Sequence, residues 1–238
     1  YNDLNQYPVF PFILADYTSE KLDLTNPKTF RDLSKPMGAL DERRVKKFAL
    51  KYEQLEEMGE TPYFYGTHYS SAGAVLHYMS RLEPYASYHV AFQSGHFDVP
   101  DRLFFDVAAT WGLASTSLMG DVKELIPEFF CLPEMFENPN NFDFGERQDN
   151  SRVYGVRLPP WAHGSAREFV RRNREALESP YASAHLHEWI DLIFGCKQQS
   201  KEDLNVFHPY PCEGGIDWDT IKDPVDRLAK QTQVNTGG

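Results

Sequence analysis

Three proline-interrupted aromatic runs govern what this chain can fold into: Tyr7-Pro-Val-Phe-Pro-Phe-Ile-Leu-Ala-Asp-Tyr17, Pro62-Tyr-Phe-Tyr-Gly-Thr-His-Tyr69 and Ile126-Pro-Glu-Phe-Phe-Cys-Leu-Pro-Glu-Met-Phe136. Proline has no amide to donate and biases the residue before it toward extended geometry, so these runs fit neither a helix interior nor a central strand. They are also too aromatic to be solvated loops. The resolution is extended backbone buried as core, which obliges side chains to satisfy amides and carbonyls that no ladder satisfies. The short polar residues beside the runs are suited to that work: Asn2, Asp3, Asn5 and Gln6 before the first, and Thr67, His68, Ser70 and Ser71 at the end of the second. The expectation is a buried polar network through Asn2, Asp3, Asn5, His68 and Ser70.

Around these runs the spacing predicts helices. Asp41 to Met58 repeats Val45, Phe48, Ala49, Tyr52 and Leu55 at three and four, with Gly59 as a stop. A second helix is expected from Ala72 to Leu82, ended by Pro84, and a third after Asp98 on Leu103, Phe104, Val107, Ala108 and Trp111. Ser165 and Glu168 have capping-box spacing ahead of Phe169 and Val170. The cleanest stripe is Leu186, Trp189, Ile190, Ile193 and Phe194, with Ser183 as its expected cap and Gly195 as its end. Asp223 before Pro224 starts a last short helix. Asn138 to Ser151 and Lys197 to Ser200 read as exposed loops.

A length of 238 residues with 41% hydrophobic and 25% charged content suits one globular domain that buries a core without disulfides. The net charge of −11 repels phosphate backbones, so a nucleic-acid partner is not expected. Cys131, Cys196 and Cys212 form no CxxC pair, which reads as a reducing cytosol. The longest apolar run, Val9 to Ala15, contains Pro11 and is too short to span a membrane, and no signal peptide is recognised. The opening at Tyr1 without Met, and the close on Thr236-Gly-Gly238, predict a piece of a larger cytosolic protein.

No constellation of catalytic residues stands out. Ser70 and Ser71 precede a helix and His68 lies close by, but neither serine has glycines two before and two after, as a hydrolase elbow needs. Helix capping by the serines and a backbone bond from His68 explain the same residues more simply. A serine hydrolase using Ser70 or Ser71 with His68 is the rival reading. His185-Leu-His187-Glu188 places its imidazoles two apart, hence on nearly opposite helix faces where they cannot chelate one metal. Neither a metal nor an organic cofactor is expected. Arg167, Arg171, Arg172 and Arg174 load one helix with positive charge, as Arg43, Arg44, Lys46, Lys47 and Lys51 load another. Such runs are solvated faces, or sites for a protein partner or anionic lipid.

Seven blocks, in order along nearly the whole chain, carry a more specific signal. They are Tyr1-Asn-Asp-Leu-Asn-Gln-Tyr-Pro-Val-Phe-Pro11, Leu24-Thr-Asn-Pro27, Phe30-Arg-Asp-Leu-Ser-Lys-Pro36, Tyr65-Gly-Thr-His-Tyr-Ser-Ser71, Leu125-Ile-Pro-Glu-Phe-Phe130, Leu158-Pro-Pro-Trp-Ala162 and His185-Leu-His-Glu-Trp-Ile-Asp-Leu-Ile-Phe-Gly195. With them the chain strongly resembles a BEACH domain, the family named from Beige and Chediak-Higashi proteins. Phe12 stands where that family usually has tryptophan, and Phe207-His-Pro-Tyr-Pro-Cys212 is unusual for it. The resemblance implies a mainly α fold, helices packed around a core of irregular extended segments, as a single BEACH domain over 1–238, truncated at both ends. It also implies a large parent protein with a pleckstrin-homology-like domain before this module and a WD-repeat propeller after it. Such parents act as scaffolds in vesicle trafficking, lysosome organisation, autophagy and receptor sorting, some anchoring protein kinases, in the cytoplasm at the periphery of vesicle or endolysosomal membranes. The family pattern brings no catalytic residues. Arg171, Arg172 and Arg174 are the candidate partner-binding residues, because arginine offers planar, bidentate donors against an acidic background.

Overall fold

The structure is a computed structural model that describes residues 7–118, 120–212 and 214–236. Asn2, Asp3 and Asn5 lie outside the described residues. The first aromatic run threads the centre as extended chain, with Phe12, Ile13 and Leu14 almost wholly buried. Isolated bridges replace a sheet. Phe10 and Leu125 exchange both backbone bonds at 2.9 Å, while Ala15 N–H donates to Thr29 O at 2.8 Å and Arg31 N–H to Ile13 O at 2.9 Å. Pro8 and Pro11 cannot donate, so no longer ladder can form around them. In the second run, the Phe64 and Tyr65 amides both donate to Val206 O, at 3.0 and 3.2 Å. The Tyr65 ring also occupies the space beside Gly38, where an added Cβ would stand 2.0 Å from its Cε1, so only glycine admits this crossing.

The third run differs from the extended chain expected of it. It forms two 3-10 turns, Pro127–Phe130 and Pro133–Phe136, each opened by its proline. A proline's fixed φ suits the first position of a helical turn, where the missing amide costs nothing.

Seven α-helices surround these segments among the described residues. Helix α1, Glu42–Glu57, is capped by Asp41, which accepts from the Arg43 and Arg44 amides; the Arg43 side-chain bond is the main cause holding its carboxyl down at about 2. Helix α2, Ala72–Met79, is capped by Ser71 and ends earlier than its apolar spacing suggests. A separate helix α3, Tyr85–Phe92, follows Pro84 and packs on α2, so the proline starts a helix as well as ending one. Helix α4, Val107–Ser115, is capped by Asp106; Leu103 and Phe104, expected inside it, are buried in the link that leads to it from the 3-10 turn Pro100–Arg102.

Helix α5, Ala166–Leu177, is capped as expected, Ser165 Oγ accepting from Glu168 N–H at 3.2 Å. The reciprocal half of the box is not made, because Ser165 N–H donates to Ala162 O and the Glu168 carboxylate turns to Arg171. Helix α6, Pro180–Ile193, begins one turn before the expected cap. Ser179 caps Ala182 N–H, Pro180 fills the first position, and Ser183 lies inside the helix. Its buried face is Ala182, Trp189, Leu192 and Ile193, leaving Ile190 and Phe194 over two-fifths exposed. Helix α7, Pro224–Thr236, closes the described chain.

The core is continuous and aromatic. Phe129 meets Phe136 at 5.3 Å, Phe136 meets Phe169 of α5 at 4.8 Å, and Trp161 stacks on Phe169 at 5.5 Å and 12°. Helix α5 thereby fastens both 3-10 turns of the third run. The segment Asn138 to Ser151 is less open than expected. Asn138 is buried, its amide closing a loop on both backbone atoms of Phe142, and Phe144 packs with Leu103 and Val153 in a small cluster of its own.

Candidate functional site

Among the described residues the buried carboxylate that gathers the most donors is that of Glu124, 3% exposed. Arg31 Nη1 donates to both its oxygens, at 2.8 and 2.7 Å; Trp189 Nε1 donates to Oε1 at 3.1 Å, and Phe12 N–H to Oε2 at 3.2 Å. The Glu124 amide donates to Tyr69 O, and its carbonyl accepts from the Tyr78 hydroxyl at 3.1 Å. One residue therefore ties together the first run, the extended segment at Arg31, the end of the second run, α2 and α6. Arg31 continues the network by donating from Nη2 to Lys35 O at 3.0 Å. A carboxylate so enclosed needs its partners, since an unpaired buried charge is far costlier than a paired one.

Two further arginines are fully buried and pair with no carboxylate among the described residues. Arg44 donates to the carbonyls of Met37, Ala114 and Asp121, which fastens α1 to the end of α4 and the turn beyond it. Arg81 donates from Nε to Tyr154 O at 2.9 Å and lies over the Phe144 ring at 4.8 Å, where burial pushes its guanidinium down to about 10. The Arg31, Arg44, Arg81 and Glu124 roles were not readable from spacing. The signal in the chain was slight: Arg31 directly follows Phe30, and Glu124 directly precedes the apolar Leu125-Ile126.

Several side chains of the Tyr65 to Ser71 segment bond backbone atoms. His68 Nδ1 lies 3.0 Å from Ser70 O and 3.1 Å from Ser70 N. Ser70 Oγ donates to Tyr7 O at 3.3 Å, which joins the second run to the first, and Ser71 Oγ accepts from Ala74 N–H at 3.2 Å. Neither hydroxyl is aimed at the imidazole, so the geometry gives the hydrolase reading no nucleophile and base in contact. A hollow of about 450 Å³ opens beside Ser71, with His77 and His89 in its wall. Burial lowers the pKa of both imidazoles. His89 Nδ1 lies 3.2 Å from Leu76 O, while its Nε2 accepts from Asp98 N–H at 3.3 Å. Ser70→Ala is expected to cost about 1–3 kcal/mol by stranding the Tyr7 carbonyl; a thermal melt indistinguishable from that of the wild type would show that carbonyl solvated by another route.

The remaining sequence candidates sit on helices. His185 Nδ1 lies 3.2 Å from Glu188 Oε2, a neighbour contact on α6. On α5, Arg171 is tied to Glu168 and Glu175, and Arg172 to Glu175 at 2.9 Å, while Arg174 is exposed and enters no ion pair among the described residues. Beside them runs an open groove of about 510 Å³, walled by Glu134, Arg167, Val170, Arg174 and Glu178. Among the described residues no helix is long and apolar enough to cross a membrane.

Mainly helical architecture wrapped on irregular extended chain, with its polar centre devoted to bonding that chain, defines a module organised around its own core. The family comparison gives it a place: the Beige/BEACH domain model matches residues 1–238. The chain belongs to the BEACH family. It is similar to Beige protein homolog 1 of Schizosaccharomyces pombe, 52% identical over 96% of the chain and 9% of that protein. It is 50% identical to Protein SPIRRIG of Arabidopsis thaliana over the whole chain and 7% of that protein, and 51% identical to Beige protein homolog 1 of Saccharomyces cerevisiae over 96% and 11%. The chain thus spans about a tenth or less of the length of these curated relatives.

Proposed function

We propose that this chain is a non-enzymatic docking module of a large parent protein that works in vesicle trafficking, lysosome organisation, autophagy or receptor sorting. Its partners are a pleckstrin-homology-like domain and a WD-repeat propeller of the same parent, together with trafficking or kinase proteins. It works in the cytoplasm, at the periphery of vesicle or endolysosomal membranes. The relatives' size supports a module within a longer chain, because each is matched over only a small part of its length.

The observation that carries the docking reading is the outward face of α5. Arginine is enriched where proteins meet, and its planar fork pairs with carboxylates in two bonds at once. Arg171 and Arg172 are braced by Glu168 and Glu175, which fixes their planes before a partner arrives, whereas Arg174 keeps all its donors beside the groove. Preformed side-chain geometry reduces the ordering cost of association. The expected partner surface is acidic.

The test is a triple Glu substitution at Arg171, Arg172 and Arg174, checked for an intact helical spectrum and assayed against the separately expressed pleckstrin-like domain of the parent. Binding is expected to weaken at least about tenfold at low salt, and by less at high salt, as charge reversal at an electrostatic contact requires. Unchanged binding in both would remove α5 as the docking face.

A further inference from the structure

The basic half of α1 presents a second, chemically different surface. On its outward face stand Arg43, Lys46, Lys47 and Leu50, all exposed, with Leu50 60% accessible. The turn after α4 is held against this face: Lys47 Nζ donates to Leu118 O, and the buried Arg44 beneath donates to Ala114 O and Asp121 O. That turn adds an exposed Leu118, and α4 an exposed Leu113 one residue before the carbonyl that Arg44 grips. Leucines left accessible beside lysines form an unusual surface for a chain whose net charge is −11.

The charges of this face are unevenly satisfied. Asp41 is taken by Arg43 at 2.9 Å, and Asp121 by Lys123. Among the described residues, no carboxylate forms an ion pair with Lys46, Lys47 or Lys51; Lys51 instead lies over the Tyr63 ring at 3.8 Å. The helix carries an exposed Glu42 in its first turn and then no further acid until Glu53, Glu56 and Glu57, beyond Leu50. At physiological ionic strength charges are screened over roughly 8 Å, so the local sign decides what this face meets at contact distance, not the overall −11.

We propose that this α1 face, with Leu118 of the adjoining turn, binds the surface of an anionic lipid bilayer. Lysine's ammonium is a compact point charge without a planar fork, which suits a fluid array of anionic headgroups better than one fixed carboxylate. The exposed leucines supply apolar contact at the depth of the headgroups, as interfacial helices do. The arrangement is pre-built, because Arg44 fixes the turn to the helix from below. This surface is separate in residues and chemistry from the α5 docking face, and either can fail without the other.

Sedimentation of the 238-residue chain with phosphatidylcholine vesicles, alone or containing about 30 mol% phosphatidylserine, tests it. Binding is expected only to the anionic vesicles and is expected to be released by high salt. K46Q/K47Q is expected to weaken it about twenty-five-fold, from roughly fivefold per lysine near an anionic surface. L50S/L118S is expected to weaken it by about tenfold at unchanged salt. Leu50→Trp, which keeps the face apolar, gives a reading that does not depend on those variants folding: its fluorescence should shift to the blue on anionic vesicles alone. No binding to anionic vesicles, no tryptophan shift, or full binding by folded K46Q/K47Q would each overturn the proposal. Loss in K46Q/K47Q with full retention in L50S/L118S would overturn it as well, and would assign the face to an acidic protein. The α5 triple Glu variant is expected to bind vesicles as the wild type does, which separates this result from the docking reading.

Discussion

Glu124→Gln is expected to destabilise the protein by about 3–5 kcal/mol, the cost of removing one partner from a buried ion pair. The substitution preserves size and leaves an amide oxygen for some of the donors. It also leaves the guanidinium of Arg31, 1% exposed, facing a neutral group in a buried site. The loss spreads because Phe12 N–H and Trp189 Nε1 converge on the same carboxylate at 3.2 and 3.1 Å. For a chain of this length the midpoint of thermal unfolding should fall by about 6–20 °C. Urea titrations would measure the free energy directly, and a change within about 0.5 kcal/mol, typical of surface substitutions, would show that the carboxylate does not hold the segments together.

The companion variant Arg31→Met/Glu124→Leu sharpens the argument. Where a buried pair serves only itself, apolar replacement of both partners is often neutral or stabilising. Here the pair also satisfies the Phe12 amide, the Trp189 indole and, through Arg31 Nη2, the Lys35 carbonyl. Each stranded group costs about 1–3 kcal/mol. The double variant should therefore regain only part of the single variant's loss. That is what a core of irregular segments requires: regular helices satisfy their own backbone, whereas the Phe12 segment borrows acceptors from side chains.

This division explains what the chain disclosed and what it withheld. Proline and aromatic clustering foretold buried, ladder-free backbone at Phe12 and Tyr65, because both constraints act locally. Ser71 and Ser165 capped helices where local spacing placed them, and Asp41, expected as the first residue of its helix, is the cap of α1. Glu124 was invisible for the opposite reason: its donors lie 93, 65 and 112 residues away, and no local pattern encodes such a meeting. Pro127 and Pro133 show a different limit. The same residue type that excludes a helix interior favours a helical first turn, so proline alone could not separate extended chain from two short 3-10 turns. At the α5 face the arginines were evident from the sequence, but the bracing of Arg171 and Arg172 by Glu168 and Glu175 appeared only once the helix was built.

Trp189→Ala is expected to cost about 3–5 kcal/mol, the range for large aromatic truncations in a core, and it tests which way α6 faces. The stripe Leu186, Trp189, Ile190, Ile193 and Phe194 is apolar over an arc broad enough to be turned either way. The structure turns it toward Leu192, so that Ala182, Trp189 and Ile193 pack inward while Ile190 remains 43% exposed. The indole also explains the choice, since only this rotation lets Nε1 reach Glu124 while the ring stays buried. Trp189→Phe should therefore cost less than the alanine variant but still about 1–3 kcal/mol, because it keeps most of the packing and removes one donor to a buried carboxylate. Ile190→Ala should fall within about 0.5 kcal/mol of the wild type. Thermal melts of the three variants give an ordered result: alanine at 189 most damaging, phenylalanine intermediate, alanine at 190 nearly silent. An Ile190→Ala loss as large as that of Trp189→Ala would mean that α6 presents the other side of its stripe to the core, and the Glu124 bond to the indole would fall with it.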